Sequence, residues 1–114
     1  MAELLGTFEQ LTLLAVLALG EDAYGRSVLR TLQSALESSR TVAAGAVYAT
    51  LDRLEVRGLL ASRIEEGTYA RGGRPRRYYR LTALGADALN EARTALDRMW
   101  QGKSWPLEVF AWTL

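Results

Sequence analysis

Apolar and polar positions along the chain predict four helices and one hairpin. In the first helix, after Thr7, Phe8, Leu11, Leu14, Ala15 and Ala18 recur on one stripe. Leu13, Val16, Leu17 and Leu19 make it apolar nearly all round, so it should be central or shared with a partner. Thr7-Phe8-Glu9-Gln10 has the form of a capping box, and Gly20 supplies a left-handed stop. Asp22 is placed to cap a second helix, Tyr24 to about Glu37, with Val28, Leu29, Leu32 and Leu36 spaced for the core. Ser38-Ser39-Arg40-Thr41 breaks it.

The third helix, Gly45 to Arg57, sets Val47, Leu51 and Leu54 on one side. Gly45, Ala46, Ala49 and Arg53 lie opposite, Tyr48 sits on the flank, and Gly58 ends the helix as its cap. Period two follows: Leu60, Ser62 and Ile64 alternate with Leu59, Ala61 and Arg63, and Tyr79 and Leu81 with Tyr78 and Arg80. This is a hairpin whose connection, Glu65 to Pro75, holds three glycines and is expected to protrude and move. On its second strand Arg76 and Arg80 share a face with Tyr78, the side expected toward DNA, while Tyr79 and Leu81 are expected in the core.

Thr82 caps the fourth helix, in which Gly85, Leu89, Ala92, Leu96 and Met99 step by four, three, four and three residues. Such a seam can pack on its own domain or pair across a homodimer; pairing is the favoured reading, with Trp100 as an aromatic at the seam. The end, Ser104 to Leu114, is apolar and aromatic, and is expected to fold back on the domain or its mate, or else to bind a partner or line a ligand site. Three parts result: 1–81, a DNA-binding domain; 82–103, a dimerisation helix; and 104–114, a tail of unassigned role.

Composition removes alternatives. With no cysteine in 114 residues there are no disulfides, thiolate zinc sites or cysteine nucleophiles, which suits the cytoplasm. With no histidine the usual general base and commonest metal ligand are missing, so the chain is read as not an enzyme, without a cofactor or metal. Asp52, Arg53 and Glu55 have the spacing of a solvated helix face, not of a catalytic set. The run Leu11 to Leu19 is too short to span a bilayer, and no membrane partner is expected.

Net charge is only +1, but it is unevenly spread: residues 1 to 23 carry four acids and no base, whereas Arg71 to Arg80 hold five arginines and no acid. A helix beside a basic two-stranded flap can enter a DNA groove while gripping flanking phosphates. The expected fold is therefore mainly α with a small β-hairpin: a winged helix-turn-helix followed by a C-terminal dimerisation helix.

Tyr24-Gly25, Gly45-Ala46-Val47-Tyr48, Leu51-Asp52-Arg53-Leu54-Glu55 with Gly58-Leu59-Leu60, and Gly73-Arg74-Pro75-Arg76-Arg77-Tyr78-Tyr79-Arg80-Leu81-Thr82 with Gly85 carry a further signal. Their order and spacing, over roughly residues 5 to 90, resemble the PadR family of bacterial winged-helix regulators. The resemblance implies a homodimer on a roughly palindromic operator, usually repressing, and the short subfamily with a single dimerising helix. In some drug-responsive members a tryptophan on this helix stacks planar compounds between subunits; it falls about where this chain has Leu96, one turn before Trp100.

The candidate DNA contacts are Tyr24, Arg40, Thr41, Gly45, Tyr48, Ala49, Arg53, Arg71, Arg74, Arg76 and Arg77. Tyr48 fits either core filler or a phosphate contact, and the arginine run either a solvated face or a phosphate grip. The third helix offers small residues that can touch thymine methyls but almost no hydrogen-bonding side chains, so specificity would rest on Thr41, Arg40 and Arg53, helped by DNA shape. The candidate dimer residues are Leu89, Ala92, Leu96, Met99 and Trp100, with Leu96 and Trp100 also candidates for a small planar hydrophobic effector. Beside a DNA-binding repressor, two readings stay open: an effector sensor, and a winged-helix interaction module without nucleic acid.

Overall fold

The computed structural model describes residues 4–37, 41–67 and 72–102. Four helices appear in order, α1 (Thr7–Leu19), α2 (Gly25–Leu36), α3 (Ala44–Val56) and α4 (Ala83–Trp100), with the hairpin β1 (Leu60–Glu65) and β2 (Arg76–Leu81) between the last two. A short 3-10 turn, Gly20–Asp22, links α1 to α2.

The caps of α1 and α2 differ from the sequence expectation in their residues. Gly6, not Thr7, is the N-cap of α1, and its N–H donates to Glu9 Oε1 at 3.0 Å. The box is thus half made and one residue early, with Gln10 Nε2 donating to Leu5 O instead. Asp22 does not cap α2, because it is held in the 3-10 turn; Tyr24 is the N-cap, and its N–H donates to Ser27 Oγ at 2.9 Å. The same hydroxyl lies 2.6 Å from Asp22 O, which explains why Ser27 can be buried.

The core joins Leu13, Ala15 and Val16 of α1, Val28 and Leu32 of α2, Val47, Leu51 and Leu54 of α3, and Leu59, Leu60 and Tyr79 of the hairpin. On α1 the buried face is not the expected stripe. Thr12 turns inward with its hydroxyl donating to Phe8 O, while Leu14, Leu17 and Ala18 face outward. A helix apolar all round gives its periodicity no power to choose a face.

Gly58 closes α3 as expected. At φ 79° it lets its own N–H donate to Glu55 O and the Leu59 N–H to Leu54 O, the paired bonds of a Schellman turn. Arg57 at this end pairs with Glu9 of α1 at 3.0 Å. At the other end Gln33 joins α2 to the approach of α3, accepting from Val42 N–H at 2.7 Å and donating to Glu37 O. Glu37, with φ 52°, ends α2.

The strands pair antiparallel, Leu60 with Leu81 through Glu65 with Arg76, so β2 begins two residues before the Tyr78 start read from sequence. Gly67 closes against Gly73 and Arg74: a Cβ there would meet Gly73 C at 2.0 Å. The rest of the connection, including Arg71, lies outside the described residues.

Thr82 caps α4 by accepting from Gly85 N–H at 3.0 Å, and its own hydroxyl donates to Gly58 O. Gly85 allows the helix to press on the hairpin, since a Cβ there would lie 2.2 Å from Leu59 O. The seam divides: Gly85 and Ala92 are buried in the domain and Leu89 packs at its edge, whereas Leu96, Met99 and Trp100 are exposed. No described helix is long and apolar enough to cross a membrane.

Candidate nucleic-acid interface

A groove of about 620 Å³ runs between the start of α2, the outer flank of α3 and the root of the hairpin. Its walls carry Arg26, Arg74, Arg76 and Arg77 against the single carboxylate of Asp52, so its field is strongly positive.

Tyr48, about half exposed, forms part of the α3 wall and lies directly over Gly25. That contact explains the Tyr24-Gly25 pair: any side chain at 25 would occupy the space of the Tyr48 ring. Tyr48 is therefore neither core filler nor a free side chain; it is a surface ring with a fixed seat. Gly45, Ala46 and Ala49 are exposed on the opposite side of α3 from Val47, Leu51 and Leu54, as the periodicity predicts. Open space surrounds Gly45. Thr41 is exposed on the approach to α3, and Arg53 is exposed, with its guanidinium donating to Thr50 Oγ1 at 3.2 Å. Arg40 lies outside the described residues, as does Arg71.

The described hairpin arginines differ in their partners. Arg74 is exposed beside Gly72 and Gly73, both with positive φ. Arg77 donates to Ser62 Oγ at 2.8 Å, and Ser62 in turn donates to Glu55 of α3, a chain linking β2, β1 and the end of α3. Arg76 stacks its guanidinium 3.8 Å above the Tyr24 ring and reaches the Tyr78 hydroxyl at 3.4 Å. The hydroxyl bond to Tyr78 raises the Arg76 pKa above its ordinary value, with burial acting against it; the group is cationic at any working pH.

Tyr78 corrects the sequence reading of β2. It is buried rather than turned to a bare DNA side, meeting Tyr24 edge-to-face at 5.6 Å and covered by Arg63 at 4.9 Å. The cause is a third extended segment: Tyr79 N–H donates to Ala23 O at 2.8 Å, and Tyr24 bridges to Tyr78. Both faces of β2 are thus covered at the two tyrosines. On the other face Tyr79 is buried as expected, and burial, then the charge of Asp52, raises its phenol pKa above 10.0.

The structure brings Tyr24, Tyr48, Arg74, Arg76 and Arg77 to one groove. The sequence reading missed Arg26 in it, which carries no motif signal beyond its place in the first turn of α2, and Arg63, a cation lying against Tyr78. Leu96 and Trp100 stand apart on the last turns of α4. Among the described residues no cluster of acidic side chains could hold a metal ion.

The profile of the transcriptional regulator PadR-like family matches residues 13–91. Among solved structures, a PadR-like transcription factor from Bacteroides fragilis is 29% identical, with 82% of this chain and 84% of that one covered at a TM-score of 0.66. A PadR family transcriptional regulator from Eggerthella lenta is 30% identical over 82% of this chain and 80% of that one, at 0.59. A third, from Clostridium difficile, is 25% identical over 80% and 86%, at 0.54. Among curated proteins none matches significantly. With the winged helix-turn-helix fold, the basic groove and these matches together, the chain belongs to the PadR-like family of transcriptional regulators, which are DNA-binding proteins and not enzymes.

Proposed function

We propose that this regulator acts as a homodimer on a roughly palindromic operator and represses from it. The observation that carries the reading is the shared groove: the Tyr48 and Asp52 flank of α3, next to its exposed small-residue face, and the arginines at the hairpin root border the same basic opening. The start of α3 enters the major groove, where Gly45, Ala46 and Ala49 permit close approach, with Thr41, Arg40 and Arg53 as the polar readers. Tyr48, Arg74 and Arg77, joined by Arg71 at the wing tip and by Arg26, grip the flanking backbone, and Tyr24 and Arg76 support the same face.

Residues 1–81 read DNA, and residues 82–103 join two copies through Leu96, Met99 and Trp100, with Leu89 at the edge of the seam and Ala92 left out of it because it is buried against its own domain. Exposed Leu14 and Leu17 on α1 enlarge the apolar surface a mate would cover. Half-sites are then expected about one helical turn apart, on the order of 10 base pairs centre to centre. Arg74→Ala with Arg77→Ala tests the assignment. Binding to every sequence should weaken, and the slope of log affinity against log salt should shrink by roughly 0.9 per lost phosphate contact. An unchanged slope removes the wing from the contact set.

A second reading rests on Leu96 and Trp100, one turn apart and both exposed: a planar hydrophobic effector held between two α4 helices would alter the spacing of the wings. Saturable quenching of tryptophan fluorescence by a planar dye supports it, and its absence counts against it.

A further inference from the structure

Arg76 and Tyr24 come from different elements, β2 and the N-cap of α2, yet their side chains are stacked at 3.8 Å. The stack is anchored on both sides. Tyr24 accepts from Arg30 at its hydroxyl, 3.1 Å away, and its ring meets Tyr78, on whose hydroxyl Arg76 also rests. Arg63 covers the far end and is itself paired with Glu65 and Glu21. Arginines and tyrosines thus alternate from α2 across the hairpin root. Arg77, by contrast, turns toward α3, and Arg74 is exposed where the glycine-rich tip begins.

We infer that Arg76 is a positioning residue and not a phosphate contact: its stack on Tyr24 straps the wing to the start of α2 and so fixes the angle at which Arg74 and Arg77 meet DNA. This rests on the DNA-binding reading above. The physical ground is that the guanidinium is held over the Tyr24 ring with one donor on Tyr78, so turning it out to a phosphate would give up the contacts that join β2 to the start of α2.

The test is a set of affinities for mixed-sequence duplex DNA at low salt. Arg76→Ala and Tyr24→Leu should each weaken binding by up to about tenfold, the scale of one partly exposed cation–π contact with the hydrogen bond beside it. Tyr24→Phe, which keeps the ring, should stay within about threefold of wild type. The pair Tyr24→Leu/Arg76→Ala should bind no more weakly than Arg76→Ala alone. In a chain already carrying Arg71→Ala, Arg74→Ala and Arg77→Ala, Arg76→Ala should cost nothing further, since the wing then has no grip left to position.

If Arg76→Ala still costs about tenfold in that background, Arg76 touches DNA itself and the inference is overturned. Should wild type bind no duplex at all, it is the regulator reading that fails. The strap is then judged in the free protein by NMR. The Tyr24 ring current should shift the Arg76 side-chain protons upfield in wild type and Tyr24→Phe but not in Tyr24→Leu. Unshifted protons in wild type would overturn the strap, and Arg76→Ala keeps the question open to test if Tyr24→Leu fails to fold.

Discussion

A methyl group placed on Gly25 would sit 2.1 Å from Cε1 of the Tyr48 ring. The contact joins the start of α2 to the flank of α3 where both border the basic groove, so the two halves of the helix-turn-helix meet at a ring and a missing side chain. Tyr48 keeps its outward direction because residue 25 leaves it room.

Gly25→Ala is therefore expected to displace Tyr48 without harming the helix, since alanine in a helix is favoured over glycine by up to about 1 kcal/mol. The melting temperature should hold while DNA affinity falls by about tenfold, the worth of one charge-free backbone contact with its positioning. Combined with Tyr48→Ala, the substitution should add nothing. Additive losses in that double variant would show that Gly25 serves DNA by some route other than Tyr48.

Gly45 gives the opposite dissociation. Nothing lies within 4 Å of a Cβ built there, and the residue is exposed in the first turn of α3. Gly45→Ala should therefore stabilise the fold, by roughly 0.4–1 kcal/mol through the unfolded chain, and yet weaken DNA binding by thickening the surface that approaches the groove. Denaturant midpoints and affinities for the same variant check both halves. A gain in stability with unchanged affinity would take the start of α3 out of the interface.

What the sequence made legible follows from how one-sided each pattern is. Val47, Leu51 and Leu54 alternate with small or polar residues, so one face of α3 had to be buried and its opposite had to be open. The Gly58 stop and the Thr82 cap are local and were equally legible. On α1, leucines on every side left the choice of face to tertiary packing. Tyr78 was assigned to the wrong side for a related reason: alternation marks two faces of a strand but cannot say that Ala23 and Tyr24, far away in the chain, will cover the second. The groove suffers the same limit. Arg74 and Arg77 announced themselves as a charge run, whereas Arg26 reaches the groove through the packing of α2 against α3, in the core and at the Gly25–Tyr48 contact.

Tyr79 predicts a pH dependence. Burial, with the Asp52 charge behind it, raises its phenol above 10.0, so the folded state favours the neutral form more than the unfolded state does. The unfolded chain releases this proton near pH 10 and the folded chain only above that. The contribution is accordingly intact below about pH 10 and is lost as the pH climbs through the folded value. Tyr79→Phe should flatten that alkaline fall in urea midpoint, relative to wild type measured alongside. Parallel curves would mean another tyrosine governs it.

The end of α4 sets the last prediction. Leu96 is 56% exposed, Met99 72% and Trp100 47%, on a helix whose first turns are packed into the domain through Gly85 and Ala92. Three large apolar side chains within five residues are a contiguous patch, and water contact on such a patch is relieved by a second copy far more readily than by rearranging a helix already anchored at its other end. Leu96→Asp with Met99→Asp should therefore leave the domain folded, because neither residue contributes to the core, and lower its melting temperature only by what association lent it. The same variant should move the protein from dimer to monomer in sedimentation and, by separating the two readers, abolish tight binding to paired half-sites while sparing weak binding to one. A variant that remains dimeric would place the interface elsewhere, with the exposed leucines of α1 the next surface to test.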